Sequence, residues 1–265
     1  MGRVFLHGML LVALFFGVYG TLRKLDWLTV FEVNKNLGKT EKKLGDLLWK
    51  MFRESDEVVS NPKVVNRIDS IVTRICEHNE MAKDKIKLHV LEKEEVNAFA
   101  LPDGHLVVYS GLIAASESPE ELAGVIGHEL AHIQLDHVMK KLVKEVGLSV
   151  LISATAGGGG EVPGKIVRTL SSSAFDRKQE READLHAVDY LIAAKIDPVP
   201  FGEFLYRIGG DAETASYLSW LSTHPDSRER GEYIVEYAGE QSFESEQLLS
   251  PLSWTELKSL LHNDR

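Results

Sequence analysis

His128-Glu129-Leu130-Ala131-His132 is the stretch of this sequence that decides the fold. Residues four apart lie one above the other on the same face of a helix, so two imidazoles at this spacing can bind one metal ion. Glu129 points toward the same site and can polarise a metal-bound water. The stretch therefore predicts a helix that carries a catalytic metal.

The residues before the motif favour the helix that it requires. Ser118 suits the N-cap, Pro119 suits the first helical position, and Glu121 completes a capping box. Apolar residues then recur at helical spacing, namely Leu122, Val125, Ile126 and Ile133. We expect an amphipathic helix whose apolar face packs against a core.

The third metal ligand has to come from elsewhere in the chain, because a catalytic zinc site takes three protein ligands and a water. The extended pattern H-E-x-x-H-x-x-G-x-x-H, whose last histidine is the third ligand, would require glycine at position 135 and histidine at position 138. The sequence has Leu135 and Val138, which excludes that pattern. His137 is one residue short of the required position, and we expect it to be solvated.

Glu180 and Asp184 offer an alternative source, since they lie four residues apart in a segment with helical apolar spacing. Glu180 could be the third ligand, and Asp184 could hydrogen-bond a ligand imidazole. An ordinary charged helix face is the competing interpretation, because Glu and Arg crowd this segment. His128 and His132, which still need a third partner, favour the ligand interpretation.

Three further blocks of sequence strengthen this interpretation. The matching residues are Asn97 to Gly104, then Arg177, Glu180, Ala183 and Asp184, then Thr223-His224-Pro225 with Arg230. Together with H-E-x-x-H they resemble the HtpX/BepA-like zinc metallopeptidase family, of gluzincin type, which also contains the CAAX prenyl protease. The resemblance covers roughly residues 60 to 235. Asp176 and Gly231 depart from the family pattern of serine and an apolar residue, which puts the local packing in doubt.

The resemblance implies a fold class and a cofactor. The fold should be α+β and zincin-like, with a small, mostly antiparallel sheet on a helical body and the metal site between two helices. One Zn²⁺ per chain should bind His128, His132 and Glu180, with Glu129 as general base. Asp184 should orient a ligand imidazole from the second coordination shell.

His224 and Arg230 are the site residues whose role the resemblance leaves open. A neutral His224 could take the fourth zinc position and displace the catalytic water, which would give a closed, inactive state. A protonated His224 could instead stabilise the substrate oxyanion, together with Arg230. A third interpretation is a surface histidine in a loop. We favour the blocking role.

A small sheet is predicted before the metal helix. Segments 86–90, 98–101 and 106–109 read as strands, and Pro102-Asp103-Gly104 reads as a turn. In zinc peptidases of this type an edge strand commonly binds extended substrate through its backbone. Asn97 and Ala98, at the start of the hairpin, are the candidate substrate-binding residues. A purely structural hairpin is an equally open alternative.

Composition limits the classes of protein. A chain of 265 residues with 44% apolar residues can build a substantial core as one large domain or two small ones. The 40 acidic against 30 basic residues argue against a nucleic-acid partner. Cys76 is the single cysteine, which excludes an intrachain disulfide and a cysteine-based zinc site.

The expected domains are a segment 1–22, a zinc metallopeptidase domain 23–240 and an acidic tail 241–265 with a short helix. The first segment is nearly unbroken apolar sequence, so it can be a transmembrane anchor or a signal peptide, and we favour the anchor. Gly157 to Gly160, followed by Pro163-Gly164, should form a link that is either a lid over the site or a passive loop.

The predicted function is zinc-dependent endopeptidase activity. Within the family, substrates are often misfolded envelope proteins, so the resemblance implies quality control and a catalytic domain outside the cytoplasm, attached to the membrane through its N-terminus. The partners should be unfolded polypeptides. Two rivals stay open: a proteolytically weak relative that acts as a chaperone or binding module, and a membrane-tethered adaptor with purely structural helices. The intact His128, Glu129, His132 and Glu180 argue against the chaperone.

Overall fold

The computed structural model describes residues 33–156, 162–172, 174–210 and 214–263. The apolar segment 4–22 and the glycine run 157–160 lie outside the described residues. Within the described ranges, no helix is long and apolar enough to cross a membrane. The chain forms two compact units, Met1–Thr40 and Glu41–Arg265. Of the first unit the structure describes residues 33–40, which begin a helix.

The described residues are mainly helical, with one small sheet. The helices are α1 (Val33–Ser55), α2 (Pro62–His78), α3 (Ser110–Ala115), α4 (Pro119–Gln134), α5 (His137–Glu145), α6 (Leu148–Thr155), α7 (Val162–Ser172), α8 (Arg177–Ala193), α9 (Val199–Gly210), α10 (Leu218–Thr223), α11 (Ser227–Gly239) and α12 (Pro251–Asn263). The strands are β1 (Lys87–Leu91), β2 (Ala98–Leu101) and β3 (His105–Tyr109). The predicted α+β class is confirmed.

The sheet has the order β1-β3-β2, which leaves β2 at an edge. The predicted hairpin is present: β2 and β3 pair antiparallel, and Asp103 and Gly104 in their turn have φ of 61° and 72°. β1, however, runs parallel to β3. The sheet is therefore mixed, which corrects the expectation of a mostly antiparallel one. The sequence has a recognisable turn between β2 and β3, which makes these two strands antiparallel. No such turn sets the direction of β1 relative to β3.

The metal helix α4 lies at the centre of the molecule. Ser118 Oγ accepts a hydrogen bond from the Glu121 N–H at 3.2 Å, as the capping box predicts. The Glu121 carboxylate reaches one residue further back and accepts from the Glu117 N–H at 2.8 Å. α4 packs against α2, α8, α9 and β2. Its residues from Pro119 to His132 are almost all buried, so it is not a one-sided amphipathic helix; alanine and glycine on its other faces allow neighbours to approach.

Both departures from the family pattern have a structural reason. Asp176 is the N-cap of α8, where its Oδ1 accepts from the Gln179 N–H at 2.9 Å, a role that serine also fills. Gly231 lies where α11 crosses α9 against Gly202. A Cβ at position 231 would come within 2.7 Å of the Tyr206 backbone nitrogen, so an apolar side chain has no room there.

The C-terminal helix α12 packs on the body of the protein next to the start of α4. Trp254, Leu257 and Leu261 are buried in the main core. Lys258 Nζ donates to the Ser116 carbonyl at 2.8 Å, and Trp254 Nε1 donates to the Glu117 carbonyl at 3.2 Å. α12 therefore stabilises the turn that leads into the metal helix.

Substitution of alanine for each of two glycines of α4 should have opposite effects on stability. A Cβ at position 124 would collide with Cβ and Cγ of Phe201, whereas one at position 127 would lie 3.6 Å from the Ala187 Cβ, an ordinary contact. We expect Gly124→Ala to lower the free energy of unfolding by about 1–3 kcal/mol. Gly127→Ala should be neutral or raise it by up to about 1 kcal/mol. Urea denaturation followed by circular dichroism measures both, and equal effects would contradict this packing.

Candidate metal centre

The predicted site residues come together from four parts of the chain: the helices α4, α8 and α11, and the residue that follows α10. His128 and His132 come from α4, Glu180 and Asp184 from α8, and Arg230 from α11. His224 directly follows α10. Side-chain atoms that could bind a metal, one each from His128, His132, Glu180 and His224, all lie within 4.8 Å of one another and are buried.

The spacing of these four side chains fits one zinc ion. His128 Nε2 lies 3.0 Å from His132 Nε2 and 3.3 Å from His224 Nδ1. Glu180 Oε1 lies 3.3 Å from His132 Nε2, and Glu180 Oε2 lies 3.1 Å from His224 Nδ1. Ligands about 2.0–2.1 Å from a tetrahedral zinc are separated from each other by about 3.3 Å. These distances lie close to the edges of a zinc tetrahedron, whereas His128 Nε2 and Glu180 Oε2 are 3.8 Å apart. The four side chains thus surround a space of about the size that one zinc ion needs.

The protonation states also suit a metal. Burial lowers the pKa of His132 and of His224 to about 4 and lowers that of His128 as well, so each imidazole is neutral at pH 7. Burial alone would raise the pKa of Glu180, but the charge of Arg230, together with hydrogen bonds from His132 and His224, outweighs it and holds that pKa well below its usual range. Neutral imidazoles and an ionised carboxylate are the forms that bind zinc.

Asp184 and Arg230 form a buried ion pair beside the cluster. Arg230 donates from Nε and Nη2 to the Asp184 carboxylate at 2.8 and 2.7 Å, and the Tyr233 hydroxyl donates to it as well. Asp184 Oδ1 also lies 2.9 Å from His128 Nδ1. Arg230 Nη1 pairs with Glu180 on its other side. One guanidinium thus binds the two buried carboxylates of α8, Glu180 and Asp184, and Asp184 can keep a proton on His128 Nδ1.

Glu129 lies between the cluster and the sheet. Its Oε2 accepts from the Ala100 N–H of β2 at 2.9 Å, and its Oε1 is 3.4 Å from His224 Nε2. Burial, followed by the charge of Glu180, raises the pKa of Glu129 well above its usual value. This carboxylate is fixed in position and accepts a proton readily.

His224 is a buried residue, which overturns the interpretation as a surface histidine. It is 1% exposed and stacks on Trp220 with ring centroids 4.0 Å apart. The segment before it contacts the start of the hairpin: Asn97 Nδ2 donates to Ser219 Oγ at 2.9 Å, and the Val96 N–H donates to the Ser216 carbonyl at 2.9 Å.

The candidate substrate-binding residues are close to the site but covered. The Asn97 carbonyl faces β3, where it accepts from the Tyr109 N–H, so the backbone of Ala98 and Ala100 faces the free edge. Asn97 is 6% exposed and Ala98 is fully buried. The edge of β2 is therefore enclosed in this conformation.

His137 was expected to be solvated, and this expectation is wrong. The side chain is 1% exposed, and its Nδ1 lies 3.0 Å from His132 Nδ1. The helix α4 ends at Gln134, and Asp136 then adopts a left-handed conformation with φ of 55°. This turn directs the first residue of α5 back toward His132. Helical periodicity could not find the contact, because the helix is interrupted between the two histidines.

Phe175 and Lys141 are further neighbours that sequence reasoning missed. The Phe175 ring stacks on His132 with centroids 4.0 Å apart, and Lys141 Nζ lies 4.2 Å from the Phe175 centroid. Lys141 is 3% exposed, and burial lowers its pKa. No motif in the sequence marked either residue.

Comparison with known proteins identifies the family. The model of "Peptidase family M48" matches residues 62–238. The chain is 30% identical over 182 residues to "Metalloprotease LoiP" of Escherichia coli K12, covering 66% of this chain and 71% of that protein. It is 26% identical over 199 residues to the "Beta-barrel assembly-enhancing protease" of the same strain, covering 70% of this chain and 41% of the relative.

A third relative is the "Mitochondrial metalloendopeptidase OMA1" of Arabidopsis thaliana, which is 34% identical over 154 residues. That match covers 56% of this chain and 30% of the relative, so the chain spans less than half the length of these last two proteins. The chain belongs to peptidase family M48 and is the zinc metalloendopeptidase that its sequence predicts.

Proposed function

We propose that this protein hydrolyses unfolded or misfolded polypeptides in the cell envelope, with residues 4–22 as its membrane anchor. The name of one relative, a beta-barrel assembly-enhancing protease, supports a role in protein quality control. The apolar N-terminal sequence supports the anchor. A catalytic domain outside the cytoplasm is supported by the resemblance to envelope proteases. The observation that carries the proposal is Glu129, which lies between a four-residue metal cluster and the edge strand β2.

In this proposal His128, His132 and Glu180 hold the zinc ion. When bound, the ion polarises the scissile carbonyl and acidifies a water molecule. Asp184 supports His128 from the side away from the metal. Its Oδ1 lies 2.9 Å from His128 Nδ1 and would accept a hydrogen bond from that N–H, which leaves Nε2 free for the metal. Arg230 holds both Glu180 and Asp184 in their ionised forms.

Glu129 acts as the general base. It takes a proton from the attacking water on Oε1 and later delivers it to the leaving amine. The hydrogen bond from the Ala100 N–H to Oε2 supports this role, because it fixes the carboxylate with its other oxygen toward the cluster. The raised pKa supports it as well, since a more basic carboxylate accepts a proton more readily.

The edge strand β2 binds the substrate in this proposal. Asn97 and Ala98 begin the strand, and a peptide paired with its free edge would run beside Ala100 and therefore beside Glu129. Pairing through backbone groups reads sequence weakly, which suits a peptidase that acts on many unfolded chains.

The described conformation corresponds to a latent state in this proposal, with His224 as a fourth ligand that excludes the catalytic water. Its distances of 3.3 Å to His128 and 3.1 Å to Glu180 support that role. Its pKa of about 4, lowered by burial, disfavours the protonated oxyanion donor. Activation then requires His224 and α10 to move, and the same movement would uncover Asn97 and the start of β2.

Glu129→Gln is expected to keep zinc and to lose peptide hydrolysis by several orders of magnitude, because the residue is a base and not a ligand. Zinc content and casein cleavage by the purified protein measure the two effects. Glu120→Gln, on the same helix, is the matched control and should behave as wild type. Full casein cleavage by Glu129→Gln would refute the proposed base.

Glu180→Ala is expected to abolish stoichiometric zinc binding, whereas Asp184→Asn should weaken zinc affinity about 10–100-fold as an outer-shell change does. Metal analysis after dialysis checks the first, and competition with a chelator checks the second. Glu203→Ala, an exposed carboxylate on α9, should leave both unchanged. Retention of metal and activity by Glu180→Ala would show that the third ligand is assigned wrongly.

His224→Ala separates the two roles of that histidine. If His224 is a blocking ligand, its removal should raise basal proteolysis, including self-cleavage, and should lower the zinc affinity modestly. As an oxyanion donor, its removal should cut turnover about 10²–10³-fold without loss of metal. We expect the first result in a timed casein assay with parallel zinc analysis. Wild-type activity together with wild-type zinc affinity would contradict both roles.

A further inference from the structure

We propose that His137 and Glu182 form a relay that orients the ligand His132 and sets part of the affinity for zinc. This positioning role rests on the proposed function, which makes His132 a zinc ligand. The relay connects α5 and α8 to the metal helix α4 through the imidazole of His137, which is enclosed within the protein.

The contacts run in one line from the cluster outward. His132 Nδ1 lies 3.0 Å from His137 Nδ1, which is hydrogen-bond distance. His137 Nε2 lies 3.6 Å from Glu182 Oε2, which is an electrostatic contact longer than a hydrogen bond. The His137 side chain is 2% exposed, whereas that of Glu182 is 45% exposed. The line therefore begins at the buried cluster and ends at a carboxylate in contact with solvent.

The positions of the protons follow from zinc binding. His132 directs Nε2 at Glu180 and His128, so a neutral His132 that binds metal through Nε2 carries its proton on Nδ1. That N–H donates to His137 Nδ1, which must then have a free lone pair. His137 consequently carries its own proton on Nε2, on the side that faces Glu182.

The two ligand histidines are thus supported unequally. His128 contacts the carboxylate of Asp184 directly, and that side chain is fully buried. His132 reaches the carboxylate of Glu182 only through His137, and solvent screens that carboxylate. We infer that Asp184 provides the stronger support and that loss of the relay weakens zinc binding without abolishing it.

The test must separate the hydrogen-bond acceptor from simple filling of space, because the His132 and His137 rings also contact each other with centroids 5.0 Å apart. His137→Gln keeps a side-chain acceptor of similar size, and His137→Leu keeps the volume without an acceptor. If His137 only fills space, His137→Leu should bind zinc at least as tightly as His137→Gln. If the relay is correct, His137→Gln should bind zinc more tightly.

The experiment uses the full chain in the Glu129→Gln background, which prevents self-cleavage. Zinc affinity is measured by competition with a chelator, and the visible absorption of the cobalt-substituted protein reports the ligand geometry. We expect His137→Leu to weaken zinc binding about 10–100-fold and to alter the cobalt spectrum. His137→Gln should recover most of the affinity. Lys178→Ala, which alters an exposed side chain on α8, is the control and should bind zinc with the same affinity as the Glu129→Gln protein.

Glu182→Ala tests the relay at its exposed end, where folding is not at risk. This substitution should lower the zinc affinity by less than His137→Leu does, and it should leave the thermal unfolding of the metal-free protein unchanged. Equal zinc affinity of His137→Leu and His137→Gln, or an unchanged affinity of Glu182→Ala, would overturn the relay. A background protein that binds no zinc, or a Glu180→Ala variant that keeps it, would instead overturn the ligand assignment on which the relay rests.

Discussion

The ion pairs of Arg230 with Glu180 and Asp184 are the interactions on which the site depends. Two carboxylates one helical turn apart on α8 are almost completely buried, and an unpaired buried charge is very costly. Arg230 offsets that cost from a third helix. α11, which carries Arg230, crosses α9 closely at Gly202 and Gly231 and also contacts α8. The helix that makes this close crossing therefore carries the guanidinium that sets the charge of the proposed zinc ligand Glu180.

A second constraint connects the base to the sheet. Glu129 would be free to rotate if only the helix held it, but the Ala100 N–H of β2 fixes one of its oxygens. β2 is also the proposed substrate-binding edge, so in that proposal one strand positions both the base and the peptide. His224 lies 3.4 Å from the other oxygen of Glu129, and the segment before it contacts Val96 and Asn97. A shift of that segment would change the metal cluster, the base and the strand together.

Much of this could be predicted from the sequence, where the signal was local. The spacing of His128 and His132, the spacing of Glu180 and Asp184, and the cap at Ser118 all act within one or two helical turns, and helix geometry fixes their consequences. The direction of β1 could not be predicted, because it depends on a crossover that no turn residue marks. The burial of α4 on all faces could not be predicted either, since small residues are compatible with both exposed and buried surfaces.

His137 shows most clearly where periodicity fails. A pattern read at 3.6 residues per turn places it away from His132 and leaves it solvated. Asp136 breaks the helix with a left-handed residue, and the side chain that follows returns to the site from a new helix. Asp can adopt this conformation more readily than most residues, so the break was possible but not required by the sequence. The two proposed ligand histidines, although they lie on one helix, consequently contact different elements: His128 contacts α8 directly, and His132 contacts the junction between α4 and α5.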